Sequence, residues 1–324
     1  MSFVAHRKPS FASYPIWFGA RAVLKPLLSK YPLTERGLNR LHLIDKLAQT
    51  APKSKTVMFS TLTLGGRPAD LMLPKGPSRR DGDTAVLYLH GGAFVVAGRG
   101  THRAVASRLC ERAELPVFSL EYRQLPEGGV GTSVHDAFSA YRELIERRGF
   151  RHLVVAGDSA GGFLCGKVIE LAAENGLTPP IAFVGIAPLL DLDLASNPDR
   201  SSRSDAYLPK EKMAELAPKF DWGPIPFVGT RRITSLDPAL FPPTVMITAE
   251  DEMIEPDVIE LVEKLDAAGV RAELHSYSWQ IHAFPVLAFR HREVLDAIEA
   301  VASFVADVIR EVPSSADEPE ALTG

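Results

Sequence analysis

Apolar residues in the first fifty positions recur every three or four residues: Trp17, Ala20, Val23 and Leu24, then Leu38, Leu41, Ile44 and Leu47. That period predicts two helices between Ala12 and Thr50, ahead of any strand. From Lys55 to Pro74 the period falls to two, and Gly65-Gly66 separates Val57–Leu64 from Pro68–Leu73. This predicts an antiparallel hairpin at one edge of a sheet. After a polar loop at 77–83, short apolar runs alternate with helical stretches. Strands are expected at Ala85–Leu89, Val117–Glu121, His152–Ala156 and Ile181–Ile186, and helices at Arg103–Arg112, Ser133–Arg147 and Ala160–Asn175. Such an order predicts an α/β fold, a mostly parallel, doubly wound sheet with helices on both faces.

The alternation breaks between Asp191 and Phe241, a stretch rich in Asp, Ser, Pro and Arg with one short helical piece near 210–216. An insertion of about 50 residues in a regular α/β pattern reads as a cap or binding element. Strand Thr244–Thr248, helix Pro256–Ala268, strand Ala272–Tyr277, a loop holding His282 and helix Arg292–Ile309 complete the pattern. The expected organisation is N-terminal cap helices over 1–54, a catalytic domain over 55–312 with a cap insertion at 190–240, and a frayed polar tail over 313–324.

Composition narrows the chemistry. The 324 residues are 46% hydrophobic and 23% charged, as in ordinary globular proteins. A formal net charge of -4 leaves no basic surface to neutralise many phosphates, so nucleic acid is not expected as a partner. Cys110 and Cys165 are too few for a disulfide framework or a cysteine zinc site and are expected as buried free thiols. The first twenty residues lack the layout of a secretory signal, which makes the cytoplasm the default. Phe11–Leu28 is apolar but interrupted by Pro15, Arg21, Lys25 and Pro26, so it reads as an amphipathic surface or lid segment without stable membrane insertion. No H-E-x-x-H pattern appears. Asp191 and Asp193 mimic the start of a calcium loop whose glycine and terminal glutamate are missing, so neither metal nor cofactor is expected.

Leu153 to Gly162 run from a buried strand through Gly157-Asp158-Ser159-Ala160-Gly161 into a helix, the context a nucleophile elbow requires. Glycines flank Ser159 because the turn leaves no room for side chains, and the helix start beneath it favours developing negative charge. Asp158 is expected to be structural, held by nearby backbone donors. Upstream, the strand ending at Leu89 opens into His90-Gly91-Gly92-Ala93-Phe94, whose small residues allow amides to point into a cavity. An oxyanion hole is expected at Gly91, Gly92, Ala93 and Ala160, with the N–H groups of Gly92, Ala93 and Ala160 as donors. In the order of such folds the acid and base follow the serine. Asp251, after the strand at 244–248, is the expected acid, with Glu250, Glu252 and Glu255 as competing neighbours. His282 is the expected base, since His275 lies inside a strand and His291 opens the last helix.

Taken together, His90-Gly91-Gly92-Ala93-Phe94, Glu121-Tyr122-Arg123, Gly157-Asp158-Ser159-Ala160-Gly161-Gly162, Asp251 and His282-Ala283-Phe284 resemble the hormone-sensitive-lipase family of α/β-hydrolases, over roughly residues 55–310. The resemblance implies an eight-stranded α/β-hydrolase sheet with a helical cap, a Ser159–Asp251–His282 triad, a small-molecule ester as substrate and room for a homodimer. Three positions depart from it: Ala93 stands for a third glycine, Gln124-Leu125-Pro126-Glu127 for Leu-Ala-Pro-Glu, and Ala283 for a glycine after the base. Lactonase, amidase or deacetylase activity with the same triad, a non-catalytic ligand receptor, and a lipase acting on lipid aggregates are the rival expectations. Trp17, Phe18 and Trp222 are candidates for either the pocket lining or the packing of the cap.

Overall fold

A computed structural model describes residues 2–76, 82–193, 199–200, 204–287 and 291–312. The elements follow the chain as β1 (Ser2–His6), α1 (Ser13–Gly19), a π turn (Ala20–Leu24), α2 (Lys25–Ser29), α3 (Glu35–Gln49), β2 (Val57–Leu64), β3 (Arg67–Pro74), β4 (Thr84–Leu89), α4 (Arg103–Ala113), β5 (Val117–Leu120), α5 (Val130–Glu146), β6 (His152–Asp158) and α6 (Ala160–Glu174). Then come β7 (Ala182–Ile186), α7 (Lys210–Leu216), β8 (Thr244–Ala249), α8 (Glu255–Ala267), β9 (Ala272–Tyr277) and α9 (Arg292–Glu311). The tail expected from Pro313 lies outside the described residues, as does most of the 77–83 loop.

The sheet has nine strands, not eight, in the order β1-β9-β8-β7-β6-β4-β5-β3-β2. It is parallel from β1 to β5, and only the β3–β5 and β2–β3 pairs are antiparallel. The extra strand is β1, which precedes the helices expected to open the fold. It pairs with β9 from Ser2 opposite Glu273 to His6 opposite Tyr277, and the His6 ring stacks on Tyr277 at 3.9 Å. Four of its five residues are exposed, so no buried face imposes the alternation that would have marked it.

The central strands β4, β6, β7 and β8 are buried along both faces, which is why they read as unbroken apolar runs. Successive side chains still go to opposite sides. Leu87, Leu89, Leu153, Val155 and Phe183 face the layer of α5, α6 and α8, whereas Val86, Tyr88, Val154, Ala156 and Val184 face α4 and α9. Helix α9 buries Val294, Ala297, Ile298, Val301, Val305 and Val308, one stripe at three- and four-residue spacing. Each Val or Ile side chain among them contributes about 1.5–3 kcal/mol by leaving water. Cys110 and Cys165 are free and buried in these layers.

Cap segments from both parts of the chain attach to the sheet's carboxyl edge. Asp45 on α3 accepts from the Thr101 amide (2.7 Å) and hydroxyl (3.0 Å). The insertion after β7 is tied down where Gly129 and Val130, at the start of α5, donate to the Trp222 and Phe220 carbonyls, both at 2.7 Å. The buried Lys167 ammonium pairs with Glu170 and reaches the carbonyls of Val228 and Thr230. Asp191 faces the guanidinium groups of Arg200 and Arg232 at 3.4 and 3.7 Å, so its carboxylate serves cap packing. No group of side chains able to hold a metal ion is found among the described residues.

Candidate active site

Strand β6 ends at Asp158 and α6 begins at Ala160, leaving Ser159 alone in the turn with φ 46° and ψ -119°. A non-glycine residue rarely adopts this backbone, and the surrounding packing must hold it there. A Cβ at Gly157 would stand 2.6 Å from the Gly161 carbonyl carbon, and one at Gly161 would stand 1.8 Å from the Leu89 carbonyl oxygen. Both glycines are therefore fixed by close backbone approach between β4, the turn and α6. The Ser159 amide is occupied by the Ile186 carbonyl at 3.0 Å, so only its hydroxyl and the following Ala160 amide remain at the tip.

The His282 imidazole meets that hydroxyl, with Nε2 2.8 Å from Ser159 Oγ. Its Nδ1 lies 2.6 Å from a carboxylate, and that carboxylate is Glu252, not the expected Asp251. The loop after β8 explains the difference. Asp251 takes a left-handed backbone (φ 64°), is exposed, and has its amide held by Glu255 Oε2 at 2.8 Å. The chain folds back on itself there, and the Glu252 amide donates to the Ala249 carbonyl. Glu252 thus lies buried under the turn, its Oε1 accepting from the Ala249 amide while Oε2 receives His282. Asp205, from the cap insertion, steadies this loop by accepting from the Met253 amide through Oδ2, while Oδ1 binds the amides of Tyr207 and Leu208. The Tyr207 ring lies nearly parallel to the imidazole, with centroids 6.0 Å apart.

Burial opposes an imidazolium at His282, but the charge of Glu252 and its hydrogen bond outweigh that and hold the imidazole pKa above its usual value. Burial pushes the Glu252 carboxyl up to about 7, against the pull of His282. The proton-binding of each group therefore depends on the charge of the other.

The His90–Phe94 loop lies directly against the serine, since a Cβ at Gly91 would meet Ser159 Cβ at 3.0 Å. Gly91 lies in this loop, but its amide is not among the expected donors and is engaged by Asp158 Oδ1 at 3.0 Å. Gly92 has φ 113°, and a side chain there would run into the Val96 carbonyl oxygen. Ala93 and Phe94 follow with φ 52° and 60°, so Ala93 adopts the left-handed conformation suited to the glycine it replaces. Ala283, the other alanine standing for a glycine, likewise has φ 52°. The 122–125 segment braces the loop. Tyr122 donates to the His90 carbonyl (2.6 Å), Gln124 Nε2 to Ala97 O (2.9 Å) and the Leu125 amide to Phe94 O (2.8 Å).

Beneath the elbow, Asp158 is held by one backbone donor and two side chains. Besides the Gly91 amide it accepts from Tyr88 Oη at 2.7 Å and faces His102 Nε2 at 3.2 Å. Burial favours the neutral acid, but the His102 charge outweighs it and the carboxyl pKa is lowered. At His102 burial is likewise overcome by Asp158, and the imidazole pKa is raised. Sequence reading missed His102 because nothing in its spacing distinguishes it from a core histidine. Of the aromatic residues in question, Trp17 and Phe18 pack with Trp279 at the surface, and Trp222 sits half exposed under Lys219.

Comparison with known proteins agrees with this architecture. A family model described as alpha/beta hydrolase fold matches residues 86–286. The carboxylesterase/phospholipase LipF of Mycobacterium tuberculosis is 30% identical over 316 residues, covering 92% of this chain and 82% of that protein. The esterase LipU of the same organism is 29% identical, covering 81% of this chain and 91% of its own. Among solved structures, an esterase/lipase from an uncultured bacterium superimposes with a TM-score of 0.70 at 26% identity, over 89% of this chain and 98% of that one. An esterase from the bacterial hormone-sensitive lipase family shares the fold with a TM-score of 0.77 at 24% identity, over 93% and 100%. The chain belongs to the α/β-hydrolase family.

Proposed function

We propose that the protein is a serine hydrolase that cleaves carboxylic esters of short to medium acyl chain through an acyl-enzyme intermediate. The observation that carries this reading is the continuous relay from Ser159 Oγ through His282 to Glu252, at 2.8 and 2.6 Å. His282 takes the serine proton as Oγ attacks the ester carbonyl, and Glu252 steadies the resulting imidazolium. The amides of Gly92, Ala93 and Ala160 receive the oxyanion, each donor of this kind contributing about 2.7–4 kcal/mol in the transition state. His282 then protonates the departing alkoxide. Water repeats the sequence on the acyl-enzyme, releasing the acid and restoring Ser159.

The names of the relatives, carboxylesterase and esterase, support esters over lactones, amides or acetylated sugars. The intact His282–Glu252 pair favours an enzyme over a binding protein that has kept only the fold. The test is hydrolysis of p-nitrophenyl esters from acetyl to palmitoyl by wild type and Ser159→Ala. Turnover of the shorter chains that disappears in the variant is expected. Folded wild type inactive on the whole series would overturn the proposal.

A further inference from the structure

Helix α1, the π turn and α2 run on as one rod that packs Ile16, Trp17 and Ala20 against the core and carries a second apolar stripe outward. Phe11, just before the rod, and Phe18, Val23 and Leu27 within it are 91%, 55%, 68% and 61% exposed, with Pro15 between the first two. The five-residue step from Phe18 to Val23 spans the π turn, whose wider repeat keeps the stripe in line. A surface helix ordinarily turns such a stripe to the core. At one end the stripe merges with exposed aromatic rings. Trp279, 40% exposed, packs on Tyr14, Trp17 and Phe18 at 4.9, 5.3 and 6.0 Å.

The charge carried by the stripe's own segment has one sign. Residues 1–34 contain Arg7, Lys8, Arg21, Lys25 and Lys30 and no Asp or Glu, in a chain of net charge -4. Acids from other elements approach at its margins: Glu250, 4.0 Å from Arg7, Glu293, which binds Ser10, Asp205 and Glu211 beside Lys25, and Asp296 near His6. A second copy docked through the same face would set cations against cations.

We propose that this face docks on an anionic lipid bilayer surface, with the rod in the headgroup plane. Phe11, Phe18, Val23 and Leu27 reach the acyl boundary, the Trp17–Trp279 pair sits at headgroup depth, and Lys8, Arg21 and Lys30 meet lipid phosphates. Docking would set the catalytic mouth beside the membrane. Arg21 and Lys25 donate to the Asp205 carbonyl, and Asp205 and Tyr207 border His282.

Association is read without substrate, so it stands or falls apart from ester hydrolysis. In a Trp222→Phe background, Trp17 and Trp279 are the remaining reporters. Phosphatidylcholine vesicles containing about one-third phosphatidylglycerol should co-sediment the protein, shift its tryptophan emission to the blue and, with brominated chains, quench it. Pure phosphatidylcholine or high salt should weaken binding. Combining Phe18→Ser, Val23→Ser and Leu27→Ser should reduce association about tenfold or more, while melting temperature and turnover of soluble p-nitrophenyl butyrate stay as in wild type. No association with the anionic vesicles, or equal association of the triple variant, would overturn the proposal. So would light scattering that showed the same substitutions dissolving a dimer of wild type that ignores vesicles.

Discussion

Two buried histidine–carboxylate pairs lie within the same few turns of this molecule and do different work. His282–Glu252 meets the serine hydroxyl, whereas His102–Asp158 is sealed beneath the elbow. What separates them is the partner of the second ring nitrogen. His102 Nδ1 faces the Gly98 carbonyl at 3.1 Å and the Thr101 hydroxyl at 3.0 Å, both fixed within the fold, and Asp158 on the other nitrogen raises the imidazole pKa. His282 Nε2 faces the Ser159 hydroxyl at 2.8 Å, a group that can pass it a proton. A buried imidazole–carboxylate pair is thus structural or catalytic according to whether its outer nitrogen meets a fixed acceptor or a donor.

The sharpest way to break this comparison is to remove each imidazole. His282→Ala, like Ser159→Ala, should lower kcat by about 10⁴-fold or more with little change in melting temperature. His102→Ala should instead act mainly on the fold, lowering stability by about 3–5 kcal/mol because it removes the ion-pair partner of the buried Asp158 carboxylate. Chemical denaturation and kinetics on the same samples separate the two outcomes; a stable, inactive His102→Ala would erase the distinction.

Next in size is the acid. Glu252→Gln should cost about 10²–10⁴-fold in kcat, while Asp251→Asn stays within about twofold. The acid limb of kcat/KM should share the sign. With Glu252 in place the imidazole titrates above its ordinary 6.5, so the rise of activity with pH is centred above that value. Without that charge, burial at His282 is opposed only by the more weakly acting Asp205 and Asp158, and the midpoint of the limb should move to lower pH. An unmoved midpoint would detach Glu252 from the base.

The sealed pair makes a smaller, pH-dependent contribution. His102 has a raised pKa, so its share of stability is complete below the ordinary histidine value of 6.5 and fades as pH rises through the folded value. Asp158 has a lowered pKa, so its share is complete above the ordinary 3.8 and fades as pH falls through the folded value. Melting temperature should therefore gain a shallow maximum between those limits, and Asp158→Asn should flatten it. The smallest effect is at the two alanines with φ 52°. Ala93→Gly and Ala283→Gly should each relieve about 1 kcal/mol of left-handed strain, partly offset by the greater freedom of glycine when unfolded. Ala93→Gly should also widen the acyl site, seen as a changed preference across the ester series.

Much of this was legible because the constraint was local. The elbow at Gly157–Gly161 and the Gly92 turn need missing side chains within a few residues of one another, and amino-acid identity records that need directly. The alternation of strands and helices from Thr84 onward was legible because burial on one stripe or on both faces imposes a period. The acid was misplaced by one position because strand-end carboxylates at 250, 251, 252 and 255 look alike until the backbone turn at Asp251 sends one to solvent and the next beneath the imidazole. Strand β1 was invisible because it is exposed and is held by pairing with β9, about 270 residues away. The sequence by itself determined the layered α/β core and marked Ser159 and His282, whose requirements are written in short-range sterics and period. Only the tertiary structure decided which carboxylate meets the His282 imidazole, the pairing of His102 with Asp158 and the outward stripe on the N-terminal rod. Each of these depends on which groups distant parts of the chain bring together or leave facing water.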